Sequence, residues 1–530
     1  MVKKITRRDF FKIFGLSAAT LGFSRYLHKQ PDSSQDAVSA VAPKTDDPFP
    51  PGVAQDQAGA VEKKSTSRKT FGKPNLAPDT PPNILYFQVD NLGIGELGCY
   101  GGGILRGAST QRIDQFAKEG MQLLNFAPEA QCTPSRSALM TGRYAIRSGN
   151  HTIPFAGEEA GLVAWERTMG DVLSEAGYAC ACYGKWHIGE SDGRLPTDHG
   201  FDEWYGPIRS YDECLWPARA EYDPERDIHS PVLEGFKGQK VRHAIEILTE
   251  DVRRDIDLEY LKRAEAFMRK SVDKGTPFYI YFNHSMMHMP TIPRKEFAGK
   301  GDNGDWADCL LELDSDFSRL LSLLDEMKIA RQTIVVFAGD NGAEENWPWR
   351  GTSGYWEGSY FTGMEGSLRT PCLIRWPEHV LAEQQSDEIV HITDMFTTLV
   401  NWAGGEVPAD RNIDGQDQRA FFEGKVDQSA REGFIFWNGP RLYGVKWKDF
   451  KASNVDQKYF WDPVLEYAVP HIYNLKVDPK ERENMAVYYG WVASHAGLML
   501  KMFLASTQKE PLIPASAPLD YNPYNVKVNK

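Results

Sequence analysis

Four apolar runs of strand length punctuate the chain, and each stops abruptly at polar residues. Residues 84–89 run into Asp90-Asn91, 178–183 into Gly184-Lys185-Trp186-His187, 278–282 into the segment ending on His288, and 334–338 into Asp340-Asn341. Consecutive apolar positions predict strands buried on both faces. Between the last two runs, Leu310, Leu313, Phe317, Leu320, Leu321 and Leu324 recur every three or four residues, the stripe of a helix with one face in a core. Strands alternating with helices predict an α/β fold with a mostly parallel sheet sandwiched by helices. Ligands of such sheets collect outside the carboxyl ends of the strands, so the Asp, Asn, Lys and His delivered there converge on one crevice.

After about residue 405 the pattern changes to short alternating runs at 433–437, 442–451 and 472–477, then an apolar-striped segment at 488–504. This predicts a smaller C-terminal antiparallel-sheet subdomain with a helix against it, and 511–530 reads as an irregular tail. Residues 28–79 are rich in Pro, Ser, Lys and Asp without a sustained apolar period, so they bury too little surface to offset ordering. The chain begins with Thr6-Arg7-Arg8-Asp9-Phe10-Phe11-Lys12 and a weakly apolar run at 13–23, a twin-arginine export pattern too short to span a bilayer. The predicted organisation is a signal region at 1–42, cleaved near 37–42, and a flexible linker at 43–81. An α/β domain at 82–404 and an α+β subdomain with tail at 405–530 follow. The mature protein is expected to be periplasmic or secreted, with the twin-arginine machinery as a partner.

The chain's 530 residues carry a formal charge of −13, which argues against a nucleic-acid surface and requires any anion site to be local. Seven cysteines leave at least one unpaired even in an oxidising compartment. Cys180 and Cys182 are two positions apart on one strand face and read as buried apolar residues, not a metal or redox pair. Cys132 is the one set apart.

Cys132 opens Cys132-Thr133-Pro134-Ser135-Arg136 within the run QCTPSRSALMTGR. It is flanked in order by Asp90-Asn91-Leu92-Gly93, Gly184-Lys185-Trp186-His187-Ile188-Gly189, Met287-His288-Met289-Pro290, Asp340-Asn341-Gly342 and Glu365-Gly366 before Arg369-Thr370-Pro371. Tyr473-Asn474-Leu475, Asp478-Pro479, Glu481 and Asn484 complete the set. This ordered set resembles the formylglycine-dependent, arylsulfatase-like sulfatases of the alkaline phosphatase superfamily. The resemblance implies that a formylglycine-generating enzyme oxidises Cys132 to Cα-formylglycine, whose hydrate is the nucleophile. It implies that Arg136 steadies the hydrate, that Lys185 and His288 contact the sulfate and leaving group, and that His187 assists sulfate release. Attack would give a sulfated hemiacetal, and elimination of sulfate would restore the aldehyde. Asp90, Asn91, Asp340 and Asn341, with residue 132, would form an oxygen shell for a hard divalent ion, calcium in the family and magnesium as the alternative.

Two positions depart from the family pattern. Asn91 stands where a second aspartate is usual, removing one negative charge from the shell. Tyr360 stands where a lysine commonly precedes the glutamate by five residues, and Arg350 is the nearest upstream basic residue to replace it. The aromatic-rich stretch 347–361 reads equally as substrate wall or core, and His284 as structural. The implied activity is hydrolysis of sulfate monoesters of aryl or carbohydrate alcohols, with a sulfated small molecule or glycan as partner. Alternatives are a phosphonate or phosphate ester hydrolase of the same superfamily, or a catalytically silent protein that binds sulfated glycans. Twin-arginine export carries folded proteins, so modification of Cys132 should precede export.

Overall fold

A computed structural model describes residues 81–525, apart from 155–157, 213–216, 218, 224, 228–229 and 346–349. The signal region 1–42 and all but the last residue of the linker 43–81 lie outside the described residues, as do Cys214, Trp347, Trp349 and 526–530. No helix among the described residues is long and apolar enough to cross a membrane.

The first eleven strands are β1 (Asn83–Val89), β2 (Met121–Ala127), β3 (Ala179–Tyr183), β4 (Glu203–Pro207), β5 (Val232–Phe236), β6 (Arg242–Ile245), β7 (Phe278–His284), β8 (Thr333–Gly339), β9 (Thr370–Arg375), β10 (Gln384–Ser386) and β11 (Val390–His391). They form one sheet in the order β10-β2-β9-β8-β1-β7-β3-β4-β5-β6, with β11 also on β2. The four apolar runs are β1, β3, β7 and β8, which lie side by side as β8-β1-β7-β3 and are all parallel. Their polar ends therefore share one edge. Antiparallel pairing is confined to the flanks, where β9 pairs β2 and β8, and β5 pairs β4 and β6.

Helices cover both faces: α1 (Gln111–Glu119), α2 (Cys132–Thr141), α3 (Glu250–Asp273), α4 (Gly304–Glu326) and α5 (Ile392–Trp402). Alternate residues of β1 serve opposite layers, as the period-two geometry of a strand requires. Leu85 and Phe87 join a core with Tyr260 and Phe267 of α3 and Leu313 and Phe317 of α4. Ile84 and Tyr86 join a second with Leu139 of α2 and Met395 and Phe396 of α5. Every residue of the predicted α4 stripe is buried. Cys180 and Cys182 are buried with free thiols, and His284 bonds Asp316 through Nε2 at 3.1 Å, away from the crevice.

Beneath β7, α4 also buries Glu312, whose Oε2 accepts from the Arg294 backbone N–H at 2.7 Å. Burial pushes its carboxyl up to about 8, since Arg294 opposes the shift only in part. The folded state thus holds this proton more tightly than the unfolded chain. The stabilisation is complete below the ordinary carboxylate range and lost as pH rises through about 8. Glu312→Gln is expected to flatten the fall in melting temperature between pH 5 and 9, measured by calorimetry. A parallel fall in parent and variant would show that Glu312 is not the titrating group.

A separate antiparallel sheet, β12 (Gly433–Asn438), β13 (Arg441–Trp447), β14 (Phe450–Asp456) and β15 (Leu465–Asn474), follows, with α6 (Val492–Lys509) against it. The run expected at 442–451 is two strands joined by a turn at Lys448, whose φ is 52°. Apolar alternation continues across that turn, which hid it. The expected 472–477 strand begins earlier, at Leu465, and the striped segment 488–504 becomes a helix only from Val492. The tail is irregular as expected, yet it is anchored: Ile513 N–H donates to Arg147 O at 3.0 Å and Arg194 Nη2 to Ala517 O at 2.7 Å.

This sheet is tied to the catalytic layer by buried charge. Lys446 Nζ donates to Glu365 Oε2, and to Asn125 Oδ1 at 2.8 Å; Lys451 Nζ lies 2.9 Å from Glu481 Oε2. Burial opposes ionisation of Glu365, but Lys446, Arg369 and Lys451 outweigh it and hold the carboxylate well below its usual range.

Candidate active site

Cys132 is the first residue of α2, and Pro134 sits in that helix's first turn, where its missing N–H breaks no intrahelical bond. All ten helix residues are buried, so the cysteine is presented from inside the protein. Its Sγ lies 3.3 Å from His187 Nδ1 and 4.0 Å from Tyr360 Oη. Burial pushes the thiol up to about 12, with Lys185 opposing.

Arg136 follows one turn later on the same helix face. Its Nη1 donates to Lys185 O and to Asn283 Oδ1, each at 2.8 Å, and its Nη2 reaches Asp340 Oδ2 at 2.9 Å and Asp90 Oδ2 at 3.2 Å. One guanidinium thus links the ends of β1, β3, β7 and β8. Lys185 Nζ contacts Asp90 Oδ2 at 3.1 Å and Ser210 Oγ at 3.0 Å, and Ser210 Oγ lies 2.7 Å from His288 Nε2.

The two histidines are shifted in opposite directions. Burial, reinforced by Lys185 and Arg136, holds His187 well below its ordinary range, so its imidazole is neutral. Burial also acts against a charged His288, but Glu344 and Asp90 overcome it and raise its affinity for a proton. Glu344 further receives the Met289 backbone N–H at 3.1 Å, fixing the loop beside His288.

Asp90, Asn91, Asp340 and Asn341 meet at the ends of β1 and β8. Asn91 N–H donates to Asp340 Oδ1 at 3.0 Å, and Asn341 Nδ2 donates to Asn91 Oδ1. Asp90 Oδ1 and Asn341 Oδ1 are buried without a hydrogen-bond partner. Burial and the like charge of Asp90 push Asp340 up to about 6, whereas burial at Asp90 is outweighed by Lys185, His288 and Arg136, which hold it well below the carboxylate range. No group of three His, Cys, Asp or Glu side chains able to hold a metal occurs among the described residues. Two members of this oxygen set are amides.

Every residue singled out at the four strand ends and in α2 therefore lies within this one connected network. Arg350 does not join it: its side chain is exposed, and its charge acts on Glu345. Tyr360 brings a hydroxyl against Cys132 in place of a cation. The aromatic stretch divides, since Trp356 is buried with the Arg369 guanidinium over its ring at 3.9 Å, while Tyr355 is exposed. Sequence reading missed Ser210, a lone serine after a short strand with no motif around it, and the side-chain role of Asn283 at the end of β7.

The sulfatase family model matches residues 82–405, the span that contains this whole network. The chain belongs to the sulfatase family. Sulfatases hydrolyse sulfate esters, and this enzyme is a sulfuric ester hydrolase. A second model, the C-terminal region of N-sulphoglucosamine sulphohydrolase, matches 351–503. The sulfatase is 32% identical to N-acetylgalactosamine-6-sulfatase from Sus scrofa over 397 residues, covering 72% of each chain. It is 31% identical to steryl-sulfatase from Mus musculus, covering 72% of this chain and 71% of that one. Among solved structures, the PsFucS1 sulfatase from Pseudoalteromonas sp. superposes with a TM-score of 0.75 at 29% identity, covering 82% of this chain and 92% of the other.

Proposed function

We propose that this protein is an exported sulfatase that cleaves sulfate monoesters of carbohydrate or aryl alcohols, using formylglycine at position 132 and a bound calcium ion. The observation that carries this reading is the buried network at the strand ends, in which His187 lies against Cys132 and Arg136, Lys185 and His288 are linked through Asp90, Asp340 and Ser210 beside it. Relatives named N-acetylgalactosamine-6-sulfatase and arylsulfatase H support both alcohol classes.

The oxygen set fits a hard cation. Among the described residues Asp90 Oδ1 and Asn341 Oδ1 are buried and unpartnered, and although Arg136 bridges the Oδ2 atoms of Asp90 and Asp340, the charge of Asp90 still raises Asp340, a repulsion that a bound cation relieves. Asp90, Asn91, Asp340 and Asn341 would hold the ion, and when bound it supplies Lewis-acid polarisation to the ester. The protein's own groups do the rest. Lys185 places fixed positive charge where negative charge builds on the sulfate oxygens, and Arg136, one turn along α2, steadies residue 132. His288, whose affinity for a proton is raised, is the donor to the departing alcohol oxygen, with Ser210 holding its Nε2 in register with Lys185. Neutral His187, with Nδ1 against residue 132, accepts the proton released there.

The twin-arginine pattern of Thr6 to Lys12 supports export, and formylglycine formation is then expected before export, while the chain is still accessible. The test is peptide mass analysis of natively produced protein alongside turnover of an aryl sulfate and an aryl phosphonate ester. The peptide containing position 132 should be about 18 Da lighter than its unmodified form, and sulfate should be the preferred ester. A plain thiol in fully active protein would sink the formylglycine mechanism, and a large preference for phosphonate would assign the enzyme to the neighbouring hydrolase class.

A further inference from the structure

A cavity of about 210 Å3 opens between the end of β4 and the start of β5, with Glu190, Ile208, Arg209, Ser230, Leu233 and His243 in its lining. It lies at the carboxyl edge of β4, the edge on which the catalytic residues of β1, β3, β7 and β8 gather. The two sites are joined through neighbouring backbone. Glu190 follows His187-Ile188-Gly189, Arg209 directly precedes Ser210, and the His187 backbone N–H donates to Ile208 O at 3.0 Å.

The lining has the chemistry of a sugar site. Arg209 Nε donates to Glu190 Oε1 at 2.6 Å and Nη2 to Oε2, a two-pronged pair whose charges cancel. Ser230 is only 3% exposed, and among the described residues its Oγ has no hydrogen-bond partner. A buried hydroxyl left unpaired is destabilising, so a ligand hydroxyl arriving there completes it. Ile208 and Leu233 offer an apolar floor, and His243 adds a polar ring at the mouth. The volume is below the roughly 300 Å3 at which pockets for drug-sized ligands begin, which suits one ring and not an extended chain.

We propose that this cavity is a subsite for an uncharged, hydroxyl-bearing sugar ring attached to the sulfated unit, making sulfated oligosaccharides better substrates than sulfated monosaccharides. The inference rests on the sulfatase function proposed above. A uronate or second sulfate is disfavoured, because Glu190 already neutralises Arg209.

Steady-state kinetics of the purified full-length enzyme test it, using 4-methylumbelliferyl sulfate, the 6-sulfates of galactose, N-acetylgalactosamine and glucosamine, and disaccharides carrying each of these next to a neutral ring. At least one disaccharide should exceed its monosaccharide in kcat/KM by about tenfold, mainly through KM, the worth of a well-made hydrogen bond or two. Ser230→Ala and His243→Ala should each lower kcat/KM on that disaccharide by several-fold to tenfold more than on the aryl ester. Equal rates on mono- and disaccharides, an equal loss on all substrates, or turnover of the aryl ester alone would each overturn the subsite. Inertness toward the aryl ester as well would sink the sulfatase reading, and the subsite with it.

Discussion

Cys132→Ser should abolish steady-state sulfate release, by on the order of 10^4-fold or more, while leaving the fold in place. The side chain touches only His187 and Tyr360 through its sulfur, and it ends in a fully buried space that a hydroxyl fills with little loss of volume. Stability should therefore change little. The chemistry changes completely under the proposed mechanism, because a hydrate carries two oxygens on one carbon. One takes the sulfo group, and the other expels it by re-forming the C=O bond. A serine hydroxyl has no second oxygen, so it is sulfated at most once and stays so. The expected signature is no aryl sulfate turnover, a melting temperature within a few degrees of the parent, and a peptide bearing one added sulfo group after exposure to substrate. Turnover within tenfold of the parent would show that residue 132 is not the nucleophile.

The arrangement of the central strands was legible because each of β1, β3, β7 and β8 is apolar at consecutive positions and then stops. Burial on both faces leaves no polar alternation to confuse with a helix, and Ile84, Leu85, Tyr86 and Phe87 are all fully buried. The sheet's flanks were not legible. In β2, Gln122 and Asn125 interrupt the apolar run, yet both are buried and bonded, Gln122 to Cys99 O and Asn125 to Asp387 O. In β9, Pro371 follows Thr370 and argues against a strand on sequence alone. The hairpin of β13 and β14 was read as one segment because its turn, at Lys448-Asp449, carries neither glycine nor proline.

The chemistry at strand ends was legible for the same reason that the strands were. Residues that must project from the carboxyl edge follow an apolar run immediately, so Asp90, Lys185 and Asp340 announce themselves. Residues that act by position across the fold do not. Ser210 matters because β4 places it between Lys185 and His288, and Asn283 because Arg136 reaches across from α2. The pairing of Glu365 with Lys446 and of Glu481 with Lys451 joins residues 81 and 30 positions apart in the chain, a relation that no local spacing encodes. The two departures from the family pattern were visible as letters, but only geometry shows what they do. Asn91 accepts from Asn341, and Tyr360 faces the nucleophile.

Arg136→Met is expected to destabilise the protein by about 3–5 kcal/mol and to remove most activity, because it leaves buried partners uncompensated. The guanidinium answers the Lys185 carbonyl, the Asn283 amide oxygen and one oxygen each of Asp90 and Asp340, all buried. Methionine matches the stem but offers no donor. In the calcium-free protein the pH dependence follows from Asp340, which burial and Asp90 already push up to about 6 in the presence of Arg136. A carboxyl raised above its unfolded value contributes stability that is full below the ordinary carboxylate range and is lost as pH rises through the folded pKa. Without the guanidinium that pKa climbs further, so the variant's melting temperature should fall more steeply than the parent's between pH 5 and 8. Arg136→Lys separates charge from shape: it should recover part of the stability at pH 8, yet little turnover, because one ammonium cannot bridge four acceptors at the ends of four strands. If Arg136→Met kept both the parent's melting temperature and its aryl sulfate turnover, the guanidinium would not be the group that holds the strand ends in register around residue 132.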